Sequence, residues 1–395
     1  AAVMAVFVLT ALTFLPLSRW LLWGDFRVFY EATLRLQRGE PLYIVGDMAY
    51  MNPPFFAWAM GLFTALPYPA ARWSWSLLAS LTTALACRLL LGPGRLTPGR
   101  RVWLWATMLS VPVFLANLQG GQNSCLVLLA IASWYALGRA GRPYAAGAAL
   151  ALGLVKPQFL LGPILAIVVE RRWREGAALA VAGTLLGCLS FLLVGVEGVT
   201  GYLAVARDVA GWVDRGPYYR QDMHTPNGVL HMLLPNVWAD PAVLLTGAAV
   251  LFLTARRLRA GLDAPRTASL TVVCSMLVAP YAHMHDLLLL AVPWLLLGPS
   301  AHGSVGWPIA ATYWAVPAGL LAWALGGAGQ ITVITHAALL FWLLQDEPTG
   351  APAATYTGAS GGHAVEDRGR MADLGAARSG DKSAKGKGVH EERKP

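Results

Sequence analysis

Charge is what this sequence has least of. Only 13% of its 395 residues are Asp, Glu, Lys or Arg, 56% are apolar, and the mean hydropathy is +0.52. A water-soluble domain carries about 25% charged residues, so this chain lacks the charge to cover a water-facing surface. Cysteine is equally sparse. Cys87, Cys125, Cys188 and Cys274 stand singly inside apolar runs, which argues against a paired zinc or redox motif and leaves them as small packing residues. Lysine occurs only once before the C-terminal tail, at Lys156. The alternating segments of a membrane β-barrel are missing, no internal repeat is visible, and nothing resembles a nucleic-acid module despite a net charge of +9.

What is present is a succession of apolar stretches from Ala1 to Leu344 with brief polar breaks, the pattern of bundled transmembrane helices. The expected class is an all-α polytopic membrane protein. Residues 3–23 are long enough to span a bilayer, lack a small-residue cleavage site, and read as a first span rather than a signal peptide. Arginines crowd four breaks, at 88–101, 139–142, 171–174 and 256–266. Placing these on the cytoplasmic side explains the positive charge and orders the rest. Residues 24–69 become a first outer loop and 196–238 a second. Spans fall near 70–90, 102–117, 122–138, 175–194, 239–255, 267–280, 286–298, 304–323 and 330–345. Residues 1–345 then form one membrane domain of about twelve segments, and 346–395 a disordered cytoplasmic tail poor in apolar periodicity.

The stretch 143–170 is apolar yet flanked on both sides by cytoplasmic arginines, so it must leave and return. Two short helices, 144–155 and 158–169, each cover less than the roughly 30 Å hydrocarbon core. Their turn is Lys156-Pro157, at membrane depth or towards the outer side. An ammonium there is costly unless it meets an anion or a cavity, or snorkels to the interface.

The other polar residues gather on the same outer side. Asp25 follows the first span, and Gln122-Asn123 opens a later one. Asn227 lies in the second outer loop, and His283, His285 and Asp286 form the tip of a late hairpin. Each has a plainer reading. Asp25 can cap the helix it precedes, Gln122-Asn123 can be an ordinary helix start, and the histidines can satisfy a turn, bind phosphate or bind metal. That helix is marked by Phe26, Phe29, Tyr30, Thr33 and Leu34 on one face. Arg27, Glu31, Arg35 and Arg38 lie on the other, with Glu31 and Arg35 at pairing distance and Gly39 as the stop. It is expected to lie along the membrane interface, with a second interfacial segment after Pro53-Pro54.

In order, Gly24-Asp25, Tyr30, Gly39-Glu40-Pro41-Leu42-Tyr43 and Tyr50-Met51-Asn52-Pro53-Pro54 resemble the first outer loop of glycosyltransferase family 87. Gly121-Gln122-Asn123, Lys156-Pro157, Arg171-Arg172-Trp173-Arg174, Thr225-Pro226-Asn227-Gly228 and Ala279-Pro280 with its histidines continue the resemblance, which runs from about Trp20 to Trp294. The chain departs from the family's pattern at Ala279, at Pro226, and in having His283 and His285 rather than adjacent histidines. By distance from Pro280, His285 is preferred over His283.

The resemblance implies a GT-C-like bundle and an inverting transferase. Such an enzyme would move a hexose, mannose being the expected sugar, from polyprenyl phosphate to a lipid-linked or glycan acceptor. Asp25 would be the general base and His285 its catalytic companion. Lys156, Gln122, Asn123, His283, Asn227 and Arg27 would contact the donor's phosphate and sugar. No cofactor is expected, and no metal, because a lipid monophosphate donor asks less of one and the outer loops contain no DxD pair. Membrane lipids are expected partners and nucleic acid is not. The resemblance places the protein in the plasma membrane with its site on the extracytoplasmic side. Two other classes stand beside this one, a transporter or flippase of a lipid-linked sugar and a non-catalytic lipid-holding assembly protein.

Overall fold

The structure, a computed structural model, describes residues 24–45, 49–92, 112–211, 220–298, 307–324 and 330–345. The expected first span at 3–23, the start of the span at 102–117, the break at 95–101 and the tail at 346–395 lie outside these residues. All described residues fall within one compact unit, Ala1–Tyr356.

Every regular element among the described residues is helical. The first, α1 (Asp25–Gln37), buries Phe26, Val28, Phe29, Ala32 and Thr33 and stops where Gly39 turns to φ 70°. Of the expected face, Phe26, Phe29 and Thr33 are buried while Tyr30 and Leu34 are half-buried, and Val28 and Ala32 are buried beside them. Its exposed pair is not the expected one, because Glu31 accepts from Arg27 at 2.6 Å while Arg35 reaches the Leu42 carbonyl at 3.5 Å. Two short helices follow the proline pair, α2 (Pro54–Ala59) and α3 (Gly61–Thr64). An aromatic cluster joins them to α1, with Phe29 edge-on to both Tyr50 and Phe56 at centroid separations of 6.3 and 5.2 Å. Burying each such ring is worth about 1.5–3 kcal/mol.

Then come α4 (Tyr68–Leu91), α5 (Pro112–Gly120) and α6 (Ser124–Arg139), the last packed along α4. The segment 143–169 has the broken shape its flanking arginines require. Helix α7 (Pro143–Leu150) tightens into a 3₁₀ turn at Ala151–Val155, reverses at Lys156, and returns through a second 3₁₀ turn, Pro157–Leu160, into α8 (Leu161–Val169). Pro157 lacks an N–H and disfavours helical backbone at the residue before it, and Lys156 accordingly sits at φ −139°, ψ 76°. The outgoing limb, eight α-helical and five 3₁₀ residues, spans only about 22 Å.

Helix α9 (Trp173–Ala210) corrects the expected second outer loop. It does not end near 194. A break at Gly195 (φ 61°, ψ −162°) redirects it, and it continues as helix for another fifteen residues. At 38 residues its contour is about 57 Å, nearly twice the hydrocarbon thickness. The added part is held by packing against the first loop, where Tyr43 meets Tyr202 at 5.3 Å.

After α10 (Pro226–Leu233) and α11 (Asn236–Arg259), a second interrupted hairpin follows. Helix α12 (Ala264–Val278) ends at Ala279, a 3₁₀ turn covers Met284–Leu290, and α13 (Ala291–Leu297) completes it. Helices α14 (Trp307–Ala324) and α15 (Ile331–Leu344) close the described chain.

Three described helices, Tyr68–Leu91, Trp173–Val209 and Asn236–Arg259, are long and apolar enough to cross a membrane. Other apolar helices are 10–17 residues long, and the expected spans at 267–280 and 286–298 form the two limbs of the second interrupted hairpin. Three of the four arginine-rich breaks meet at one end, around a cavity of about 330 Å³ between Trp134, Tyr135, Glu170, Arg172, Leu258 and Thr267.

Candidate functional site

The site is where the two interrupted hairpins meet. Lys156, at the reversal of the first, donates to Asp286 Oδ1 of the second at 2.6 Å. The lysine side chain is 12% exposed and the aspartate 1%. Lys156 therefore does not snorkel; it meets an anion supplied by the protein. Ser124, the first residue of α6, joins the pair. Its hydroxyl donates to Asp286 Oδ1 at 2.6 Å and accepts from Lys156 Nζ at 3.1 Å. The second carboxylate oxygen of Asp286 accepts the His283 backbone N–H at 3.0 Å, which closes the hairpin tip.

Gln122 extends the cluster to Asp25. Its amide oxygen lies 3.5 Å from Lys156 Nζ and its amide nitrogen donates to Asp25 Oδ2. The capping alternative for Asp25 does not hold, since Gly24 occupies the cap position and Asp25 is the first helical residue with no cap hydrogen bond. What brings Asp25 to Gln122 is backbone contact. A Cβ on Gly24 would overlap Gly120, and one on Gly121 would overlap Phe26. Gly121 also adopts φ 64°, which only glycine enters freely. Neighbouring Asn123 turns the other way and donates to Asn52 Oδ1 at 2.7 Å, tying the first loop to α6.

The histidines differ sharply. His283 Nδ1 donates to Asp222 Oδ2 at 2.8 Å. His285 Nε2 is only within 3.5 Å of Asp286 Oδ2. Desolvation pulls the imidazole of His285 down to about 3, so it is neutral. Desolvation also lowers His283, but the charge and hydrogen bond of Asp222 outweigh it and hold the ring above its ordinary 6.5. Burial raises the Asp25 carboxyl, against the opposing charges of Lys156 and His283.

Two expected contacts stand apart. The Asn227 amide donates to the Pro280 carbonyl at 2.8 Å, pinning α10 to the hairpin tip. Arg27 lies on the exposed face of α1 with Glu31. The structure thus brings Asp25, Gln122 and Lys156 into one hydrogen-bonded chain with Asp286 and Ser124. It puts His283 and His285 beside Asp286, their rings 5.8 Å apart. Asp286, Ser124, Asp222 and Asn52 were not among the expected site residues. Asp286 was visible beside His285, but nothing local marks its partner 130 residues away. Among the described residues, no group of three or more His, Cys, Asp or Glu side chains is placed to hold a metal ion.

A buried carboxylate, an ion-paired ammonium and two histidines thus meet at the tips of two interrupted hairpins, in a helical bundle that includes three helices long and apolar enough to cross a membrane. The profile of glycosyltransferase family 87 matches residues 50–280, and the chain belongs to that family. It is also similar to an alpha-(1->3)-arabinofuranosyltransferase of Mycobacterium tuberculosis, from strains CDC 1551 / Oshkosh and ATCC 25618 / H37Rv. The identity is 29% over 185 residues, covering 43% of this chain. The match spans 41% of the length of those relatives. No solved structure matches.

Proposed function

We propose that the protein moves a sugar from polyprenyl phosphate to a hydroxyl of an outer-face lipid-linked or glycan acceptor, with inversion at the anomeric carbon. The observation that carries this reading is the chain Asp25–Gln122–Lys156, which sets a carboxylate and an ammonium on one amide. The acceptor oxygen forms the new bond to the anomeric carbon while the bond from that carbon to the phosphate oxygen breaks. The electron pair leaves on the polyprenyl phosphate, and the hydroxyl proton goes to Asp25.

Burial suits Asp25 to this role, because a carboxylate whose pKa is raised is a stronger base when it takes the acceptor's proton. The leaving phosphate gains charge, which fixed positive groups in a dry site stabilise. Lys156 is one such group. His283 serves better than His285 as the second, since His285 is neutral while His283 is held above its ordinary range. Asn123, Asn227 and Arg27 are left as weaker contacts, their side chains being engaged elsewhere. The arginine-rich end, facing the cytoplasm by the positive-inside rule, supports a plasma-membrane protein with the site outside.

Mannose is the first donor sugar to test, on the strength of the motif order in the first loop. Arabinofuranose is the second reading, favoured by the similarity to a protein named for its transfer. The test is transfer of labelled sugar from polyprenyl-phosphate mannose and polyprenyl-phosphate arabinofuranose into membrane lipids. Membranes would carry matched amounts of wild type or Asp25→Asn. Loss of a positioned general base costs about 10²–10⁴-fold, so Asp25→Asn should fall by that much with its unfolding temperature unchanged. Transfer that survives the substitution would remove Asp25 as base. A wild type moving lipid-linked sugar across vesicles without bond formation would instead favour the flippase.

A further inference from the structure

We infer that Asp222 is the positioning residue of the site, fixing the tautomer and orientation of His283 during transfer. The inference rests on the transferase reading above and adds to it a residue that no motif marks.

The case begins with how firmly Asp222 is placed. The segment 220–224 is held from three directions. Towards the hairpin tip, the His224 backbone N–H donates to the Ala282 carbonyl at 2.7 Å and the Asn227 amide to the Pro280 carbonyl at 2.8 Å. Towards α15, the Gln330 amide donates to the Met223 carbonyl at 3.2 Å and also to that of Arg220. Beneath it, α10 presses its first turn against the segment so closely that a Cβ on Gly228 would overlap Met223 and the Arg220 carbonyl. Met223 is buried. A carboxylate on so constrained a loop, 2.8 Å from His283 Nδ1, is a fixed partner rather than a passing surface contact.

The consequence is chemical. A carboxylate on Nδ1 obliges that nitrogen to carry a proton, so any further proton on the ring must reside on Nε2. The aspartate also favours the doubly protonated ring. The other ionisable groups acting on His283 divide between the two signs. Asp286 favours its charge and Lys156 opposes it. The rings of His285 and Tyr281 each lie tilted against that of His283, with centroids 5.8 Å away. His224 lies on the same loop as Asp222, is pushed down to about 4 by burial, and so adds no charge. Asp25 is favoured by His283 as well as by Lys156. Lys156 is already engaged by Asp286, and Asp222, by favouring the protonated His283 ring, adds to the positive charge a departing phosphate calls on. Asp222 itself need not touch the donor.

The experiment compares wild type with Asp222→Asn in detergent-solubilised full-length protein. Its first reading is the titration of ¹³C-labelled histidine side chains by NMR, with His283 assigned through His283→Gln. Its second is the pH profile of sugar transfer. Asparagine preserves the shape and can still accept from Nδ1, but it removes the charge. Since the carboxylate raises His283, wild-type kcat/KM should fall at high pH as His283 loses its proton and at low pH as Asp25 gains one. In Asp222→Asn both the NMR titration and that alkaline limb should move to lower pH together. kcat should fall about tenfold or more on the alkaline side of the profile and much less on its acid side, with KM for acceptor little changed.

An unmoved NMR titration overturns the pairing. A moved titration with an unmoved limb overturns its use in transfer while leaving the transferase reading intact. A uniform loss of activity at every pH marks Asp222 as merely structural and also overturns the inference. Failure of the transferase reading is read separately, on the unsubstituted protein, as no transfer from either lipid-phosphate sugar.

Discussion

Helix α6 carries a buried ionic network near each of its ends, and the two are built on opposite plans. At its C-terminal half, Trp134 donates its indole N–H to Glu175 at 2.7 Å. Arg172 forks onto the same carboxylate with contacts of 2.6 and 2.9 Å and lies over the Trp134 ring at 4.8 Å. Glu170 flanks the arginine at 3.8 Å. The cation and its two carboxylates lie within six residues of one another in sequence. At the N-terminal end, about 15 Å away along the helix, Ser124 joins Lys156 to Asp286, and Gln122 joins Lys156 to Asp25. Here every partner comes from a different element, and burial raises the Asp25 carboxyl. The first network satisfies itself; the second holds a base and a cation ready for something else. Titratable groups with displaced pKa values mark sites of chemistry more often than sites of mere support.

The sharpest way to break this contrast is through Lys156. Removing one partner of a buried pair leaves an uncompensated charge and costs about 3–5 kcal/mol, so Lys156→Ala should lower stability by that order and abolish transfer. Adding Asp286→Ala removes the stranded carboxylate and should restore most of the stability, as a double-mutant cycle would measure. Turnover should stay lost in the double variant. If turnover returns with stability, the Lys156 network is a brace like the Glu175 network, and the contrast fails.

Glu175→Gln tests the other side at a smaller scale. It keeps the shape but weakens the charge-assisted bonds to Arg172, worth about 1.5–3 kcal/mol, with Glu170 at 3.8 Å left to compensate in part. Thermal unfolding should register that loss. Transfer per folded molecule should not change, because nothing in this network reaches Asp25 or Lys156. A fall in kcat at constant folded fraction would show that the two ends of α6 are coupled.

The same contrast separates what the sequence reveals from what it hides. The broken hairpin of 143–169 is legible because arginines on both sides forbid a single crossing, and Pro157 marks where the break must fall. The face of α1 is legible from Phe26, Phe29, Tyr30 and Thr33 at helical spacing. The Lys156–Asp286 pair is not, because 130 residues separate partners that only the packing of two hairpins brings together. Asp222 and His283, 61 residues apart, are hidden for the same reason. The continuation of α9 past Gly195 escapes detection because Glu197 and Asp208 resemble the polar residues of a loop. Helix persists there because Tyr43 and the first loop pack against it. On α1 the expected Glu31–Arg35 pair gives way to Arg27–Glu31, with Arg35 turned to the Leu42 carbonyl instead.

Arg27 supplies the smallest expected effect and the finest test of where the site ends. Its side chain and that of Glu31 are 42% and 47% exposed, and solvent screens an exposed pair of this kind until it adds little to stability. Arg27→Ala should therefore leave the unfolding temperature nearly unmoved. Its effect on KM for the donor is the informative reading. Removing a guanidinium that bonds the donor phosphate should raise KM roughly tenfold or more. Removing one occupied with Glu31 on the outer face of α1 should leave KM almost unmoved. The geometry favours the second outcome, an unchanged KM. That result would confine the donor-binding charge to Lys156 and His283, at the tips of the two hairpins. A tenfold rise would instead extend the site across α1 and require Arg27 to leave Glu31 when the donor arrives.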